Sequence, residues 1–182
     1  MEQRLVVSGK ELVKIAKITS TVGIKGGVRI TPPFFNAQET TEIIEGSAGS
    51  IYLYSETIFP RIINIKELST NKNTITISIE ELDTIEKAQA CIGMFILTEY
   101  KFYSEYIEST DNVLRYIGYQ VVDKNLGRLG TVKSISRHGQ VLLQIEGEDL
   151  VERLIPFVKE LIEKTDHKDK IITTNLPGGI FE

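Results

Sequence analysis

Tryptophan is absent from this 182-residue chain, and cysteine, histidine and methionine are scarce, at one, two and two residues. The single cysteine, Cys91, closes no intramolecular disulfide and by itself builds no thiolate metal site. With only His138 and His167, little material is left for a zinc site or a histidine-centred catalytic machine. No apolar run approaches the roughly 18–20 residues of a membrane span. The opening "MEQRLVVSGKE" has one short apolar run, Leu5 to Val7, and no signal-peptide core, so the expectation is a cytoplasmic protein. An excess of positive charge is also missing. Lysine and arginine number 21 against 25 aspartates and glutamates, a net of −4. Residues 1–98 hold ten basic and eleven acidic side chains, and residues 99–182 hold eleven and fourteen. Neither half is basic, so any contact with nucleic acid must come from a local patch rather than from the overall field.

What is present reads as an ordinary folded protein, 41% hydrophobic and 25% charged, long enough for one domain or two small ones. Its dominant period is two. "TITISI" sets Ile75, Ile77 and Ile79 on one face and hydroxyl residues on the other. "LVKIAKI" (Leu12 to Ile18), "VRI" (Val28 to Ile30), "SIYLY" (Ser50 to Tyr54) and "RIINI" (Arg61 to Ile65) read as further strands, with a turn at "NKN". One helix is expected at "DTIEKAQACIG", with Asp83 as N-cap, Glu86 three residues on, and Gly93 as the stop. "AQETTEIIEG" (Ala37 to Gly46) is a weaker second helix. "KFYSEYIESTDN" (Lys101 to Asn112) lacks a clean period and reads as a linker. Beyond it come "YQVVD", "TVKSI", "VLLQI" and "KIITT", separated by Gly/Asn turns, with "ERLIPFV" a short helical or irregular piece. The expected fold is therefore mainly β: two small β-barrel domains, 8–98 and 113–182, joined by a short linker at 99–112, with one or two short helices.

The densest glycine cluster is "TVGIKGGVRI", where Gly23, Gly26 and Gly27 surround Lys25, with Arg29 beyond. A Walker loop needs Gly-Lys-Ser/Thr between a strand and a helix. Here the lysine precedes the paired glycines and a strand follows, so nucleotide binding is rejected. A tight loop between two strands accounts for the glycines. It leaves unexplained why Ile24, Lys25 and Arg29 gather at its tip, where an apolar residue and two cations suit docking to RNA phosphate or to a partner protein.

Catalytic groupings fare worse. "EEL" (Glu80 to Leu82) and "EGED" (Glu146 to Asp149) pair carboxylates that are neighbours on turns, and solvated acidic turns describe both better than facing acid–base pairs. No G-x-S-x-G elbow exists. His138 sits in the turn "SRHGQ", where an exposed, unemployed imidazole is expected, and Cys91 falls near an apolar helix stripe as a buried, inert thiol. Phe102, Tyr103 and Tyr106 cluster at the linker and Tyr116 follows it. Such rings serve domain packing or partner contact.

Four stretches together resemble one family, in order and across nearly the whole chain. "VKIAKITSTVGIKGGVRI" is like an opening strand and H-G-[IL]-[KR]-G-E loop, and "IEELDTIEKAQACIGMFILT" like an acidic helix running into an apolar strand. "YIGYQVVDKNLGRLGTVKSI" is like the start of a PRC-barrel domain, and "RLIPFVKELIEKTDHKDKIITTNLPGGIFE" like its closing segment. The chain resembles the bacterial ribosome maturation factor RimM family. Val22 and Gly27 stand where that family usually has His and Glu, and "TDNVLR" lacks its usual paired tyrosines. The resemblance implies an N-terminal barrel related to translation-factor barrels joined to a PRC barrel. It implies a non-catalytic, monomeric chaperone of the small ribosomal subunit with no cofactor and no metal. Its implied partners are the head ribosomal protein numbered nineteen and small-subunit rRNA, whose late folding and processing it assists. Gly23, Ile24, Lys25, Gly26 and Arg29 are the candidate ribosome-contact loop, and Phe102, Tyr103, Tyr106 and Tyr116 the candidate interdomain or partner-contact aromatics. An alternative is a PRC-barrel adaptor docking on a non-ribosomal protein, by analogy of fold.

Overall fold

Alternating β-branched residues become strands because each pleat puts every second side chain on one face, where it can leave water. A computed structural model describes residues 4–33, 35–110, 112–137 and 139–181. His138, placed in a turn by its sequence, lies outside them. The chain divides between Ser109 and Thr110 into two units.

In the first unit the strands are β1 (Arg4–Val7), β2 (Lys10–Val22), β3 (Gly27–Thr31), β4 (Ile51–Ser55), β5 (Ile58–Ile62), β6 (Ile65–Asn71), β7 (Thr74–Ile79) and β8 (Phe95–Glu99). They form one sheet in the order β5-β4-β8-β2-β3-β7-β6, with β1 paired to β2. Registers Val28↔Ile77 and Ile30↔Ile75 stack the isoleucines of β7 on β3, and Ile75, Ile77 and Ile79 are all buried, with Ile15, Ile18 and Ile96. The ribbon of β5 and β6 joins the two edges of the sheet. Ile63 donates its N–H to Ile51 O at the start of β4, and Asn64 O accepts from Glu80 N–H beyond β7. The curled sheet thus encloses its own core.

Among the described residues three α-helices accompany this sheet, where one or two were expected. α1 (Ala37–Gly46) begins with a capping box, Asn36 and Glu39 bonding reciprocally. α2 (Ile85–Gln89) starts one residue later than its sequence promised. Thr84, not Asp83, caps it, accepting from Lys87 N–H, while Asp83 turns to Lys87 Nζ at 2.7 Å. The helix also ends at Gln89, short of the expected stop at Gly93, so Ala88 is its buried residue and the exposed Ile92 lies beyond it. α3 (Tyr100–Ser109) corrects the reading of 101–112 as a linker. Tyr103 and Ile107 lie four apart and are both buried, a helical spacing that the intervening polar residues hide.

The second unit orders β9 (Gln120–Asp123), β10 (Gly127–Ser136), β11 (Leu142–Glu146), β12 (Glu152–Pro156), β13 (Ile162–Asp166) and β14 (Ile171–Thr174) as β12-β11-β10-β9-β14-β13. β14 and β9 run parallel; the other pairs are antiparallel. "ERLIPFV", expected to be helical or irregular, is largely strand β12, in register with β11 from Leu142↔Pro156 to Glu146↔Glu152. Proline is tolerated because it occupies the last position of an edge strand. Here too one segment reaches both edges, as Phe157 N–H bonds Val141 O and Leu161 O accepts from Asn175 N–H. Val121, Val132, Leu143, Ile145, Ile155 and Ile172 form the interior. The protein is mainly β and built as two units, as its periodicity indicates.

Candidate functional site

Strands β2 and β3 pair down to Val22↔Gly27 and leave residues 23–26 as the loop. Gly23 (φ 67) and Gly26 (φ 77) occupy the left-handed region. A Cβ on Gly26 would stand 1.9 Å from Leu82 O, so this residue lets the loop base lie against the backbone ahead of α2. That anchorage turns the tip outward. Ile24 is 81% exposed, and Lys25 and Arg29 are exposed as well. Among the described residues no carboxylate stands within ion-pair distance of either cation. The structure therefore exposes Gly23, Ile24 and Lys25 at the hairpin end, buries Gly26 beneath them, and places Arg29 further along β3, exposed and opposite Ser20 and Thr76.

The aromatic candidates are distributed differently. Tyr103 packs edge-on to Phe35 with centroids 5.5 Å apart and stacks on Tyr100 at 5.9 Å. Tyr106 meets Phe35 at 6.2 Å and donates its hydroxyl to Glu42 Oε2 at 2.8 Å. Phe102 lies under Lys101 Nζ at 4.6 Å. In the second unit Tyr116 contacts Phe157 (4.8 Å), Tyr119 (5.3 Å) and His167 (5.9 Å). Tyr103, Tyr106 and Tyr116 thus have ring partners within their own units, and Phe102 has its neighbour's ammonium.

The acidic groups hold structure. Glu99, at the end of β8, receives Lys10 Nζ at 2.6 Å, Lys101 Nζ at 3.1 Å and the Tyr52 hydroxyl at 3.3 Å. Lys10 above all draws its carboxyl down to about 2. Asp123 is buried, which alone would push its carboxyl up. Hydrogen bonds from Asn125, Leu126 and Leu176 N–H and from the Thr174 hydroxyl outweigh that and bring it below the ordinary range. In "EGED", Asp149 takes Arg153 through both guanidinium nitrogens, at 2.5 and 3.0 Å, which holds its carboxyl at about 2. Cys91 is buried, and burial pushes its thiol up, away from the reactive thiolate. Among the described residues no cluster of three or more His, Cys, Asp and Glu side chains could hold a metal ion. No helix among them is long and apolar enough to cross a membrane.

Sequence patterning passes over one group on the outer face of the first sheet: Lys14 and Lys17 on β2, Tyr54 on β4 and Phe95 on β8. A bulge in β2 between Lys14 and Ala16 is the reason. It shifts the alternation by one, so two lysines three apart reach the same side. "KIAK" flanked by apolar residues was the only available signal.

Fold and site together define a class: a two-module β protein with an exposed cationic hairpin on its first module. Residues 13–101 match the family model for the RimM N-terminal domain, and residues 113–180 that for the RimM PRC barrel domain. The chain belongs to the ribosome maturation factor RimM family. The ribosome maturation factor RimM of Amoebophilus asiaticus is 28% identical over 179 residues, covering 95% of this chain and 96% of the relative. That of Phocaeicola vulgatus is 34% identical over 117 residues, covering 59% and 64%. Among solved structures, a 16S ribosomal RNA processing protein RimM from Pseudomonas aeruginosa aligns with a TM-score of 0.43 at 18% identity, over 91% of this chain and 98% of its own.

Proposed function

We propose that this chain is a non-catalytic, cytoplasmic assembly factor of the small ribosomal subunit. It binds the head ribosomal protein numbered nineteen and assists late folding and processing of small-subunit rRNA. The observation that carries this reading is the match of both family domains, in order, along one chain. A chaperone of this kind acts by differential affinity, holding one rRNA–protein arrangement and leaving the finished particle. A net charge of −4 suits it, because a strongly basic surface would retain RNA non-specifically and slow release. The excess of acid over base in residues 99–182, fourteen against eleven, complements a basic ribosomal protein. Ile24 and Lys25 at the hairpin tip, with Arg29 further along β3, supply the first unit's contact with the subunit.

Co-sedimentation with purified small subunits tests this. The protein should travel with them at moderate salt, more with immature than with mature particles. Equal or no association with both, or a pull-down dominated by non-ribosomal proteins, would replace it with the adaptor reading.

A further inference from the structure

In an antiparallel pair, directly opposite residues point to the same face. Tyr54 on β4 opposes Phe95 on β8, Phe95 opposes Lys17 on β2, and Lys17 opposes Thr31 on β3. Arg29, two residues before Thr31, opposes Thr76 on β7, which opposes Ser69 on β6. These residues share the outer face, while the alternating Ile18, Ile30, Ile75 and Ile77 point into the core. Lys14 Nζ stands 4.1 Å from the Phe95 ring centre and 5.7 Å from that of Tyr54, and Lys17 Nζ 5.6 Å from Phe95. Both rings are half-buried, one side packed against the buried cluster of Leu12, Tyr52 and Leu97. Thr19, extruded by a second bulge, sets its hydroxyl 3.3 Å from Arg29 O and 3.5 Å from the Thr31 hydroxyl.

Charge is distributed on this face unlike the rest of the chain. Strands β3, β4 and β7 contain no Asp or Glu, and β6, at the edge of the face, carries one, Glu67, opposite Ser78. Those of β2 and β8 are Glu11 and Glu99, near one end, held by Arg4 and by Lys10 and Lys101. A protein of net charge −4 thus presents three cations, two aromatic rings and a bed of hydroxyls on one sheet, with Glu67 at the β6 edge.

We propose that this outer face binds single-stranded RNA, with Phe95 and Tyr54 stacking unpaired bases while Lys14, Lys17 and Arg29 take the phosphates. It rests on the assembly-factor reading for RNA as the partner class and adds where, and in what form, the RNA is held. Cations alone would serve any polyanion. Rings interleaved with them serve unpaired bases, whose faces a duplex keeps stacked on one another. Lys14 now covers Phe95, and an incoming base displaces it, since stacking exceeds an exposed cation–π contact. The displaced ammonium is already beside the strand's phosphates.

Fluorescence anisotropy of the full chain with a labelled single-stranded oligoadenylate decides the matter. Phe95→Leu should weaken binding roughly fivefold or more without changing its salt dependence. Lys17→Gln and Arg29→Gln, at exposed positions that do not threaten folding, should each lower the slope of log affinity against log salt by about 0.7. Parent-like binding by all three variants, or equal affinity for a duplex of the same sequence, overturns the proposal. Small-subunit co-sedimentation, run in parallel, separates the two readings. If the parent associates with subunits and the variants bind oligoadenylate unchanged, this face fails and the assembly reading stands. If the parent does not associate with subunits, the assembly reading fails and the anisotropy series still decides the face. Variants that lose subunits while even the parent ignores oligoadenylate would assign the face to a protein and sink the RNA assignment.

Discussion

Gly26 works through an absence. Its φ of 77 is strained for any L side chain, and a Cβ would sit 1.9 Å from Leu82 O, a backbone atom that cannot step aside cheaply. Gly26→Val should therefore cost at least about 3 kcal/mol in urea unfolding, and near-parental stability would show the loop free to rearrange. Glu99 carries a prediction of a different kind. Its carboxyl lies at about 2, against an ordinary value of 4.5, chiefly through the bond from Lys10. A depressed folded value means stability that is present above the ordinary range and lost as pH falls through it towards 2. Other carboxylates, Asp149 among them, titrate over the same window, so the difference between parent and Glu99→Gln isolates this one. The melting temperature of the variant should fall less than the parent's between about pH 5 and pH 2. Parallel curves would remove the ion pair from the account.

At the scale of elements, two strands adjacent in the second sheet come from chain segments about fifty residues apart, and a single carboxylate fastens them. Asp123, ending β9, accepts from the Thr174 hydroxyl of β14 and from Leu176 N–H just beyond it, at 2.9 and 2.8 Å. It also accepts from Asn125 and Leu126 N–H in the turn after β9. Removing it strands buried donors, so Asp123→Ala should lower unfolding free energy by about 3 kcal/mol. Amide exchange should show the loss first along β14. An edge is managed in the first unit: Pro60 in β5 offers no N–H to a stray strand, although neighbouring Phe59 is 82% exposed. Element types were legible where the period was clean, as in "TITISI". They were not where a helix buries two residues among polar ones, as α3 does with Tyr103 and Ile107, or where a strand carries a proline, as β12 does.

For the molecule as a whole, a net charge of −4 misleads about its surface unless the strands are placed. The double substitution of Lys25 and Arg29 by Ala should weaken small-subunit association at least about threefold, with the difference fading as salt rises. Its melting temperature should hardly move, because exposed charges contribute little to stability. Equal association by the double variant would take the hairpin tip out of the interface.

The sequence by itself determined the two-unit plan, the mainly β character, the turns and the exposed cationic hairpin. All of these follow from local periodicity, glycine chemistry and the ordered motifs of a family. Only the tertiary structure decided that Gly26 is a point of close approach rather than of contact, and that Tyr103, Tyr106 and Tyr116 have ring partners within their own units. It alone decided that Lys14, Lys17, Tyr54, Phe95 and Arg29 share a face. Their juxtaposition depends on strand order and on a one-residue bulge, and pairing between distant segments is set by how the whole sheet buries its core, not by any stretch of chain read alone.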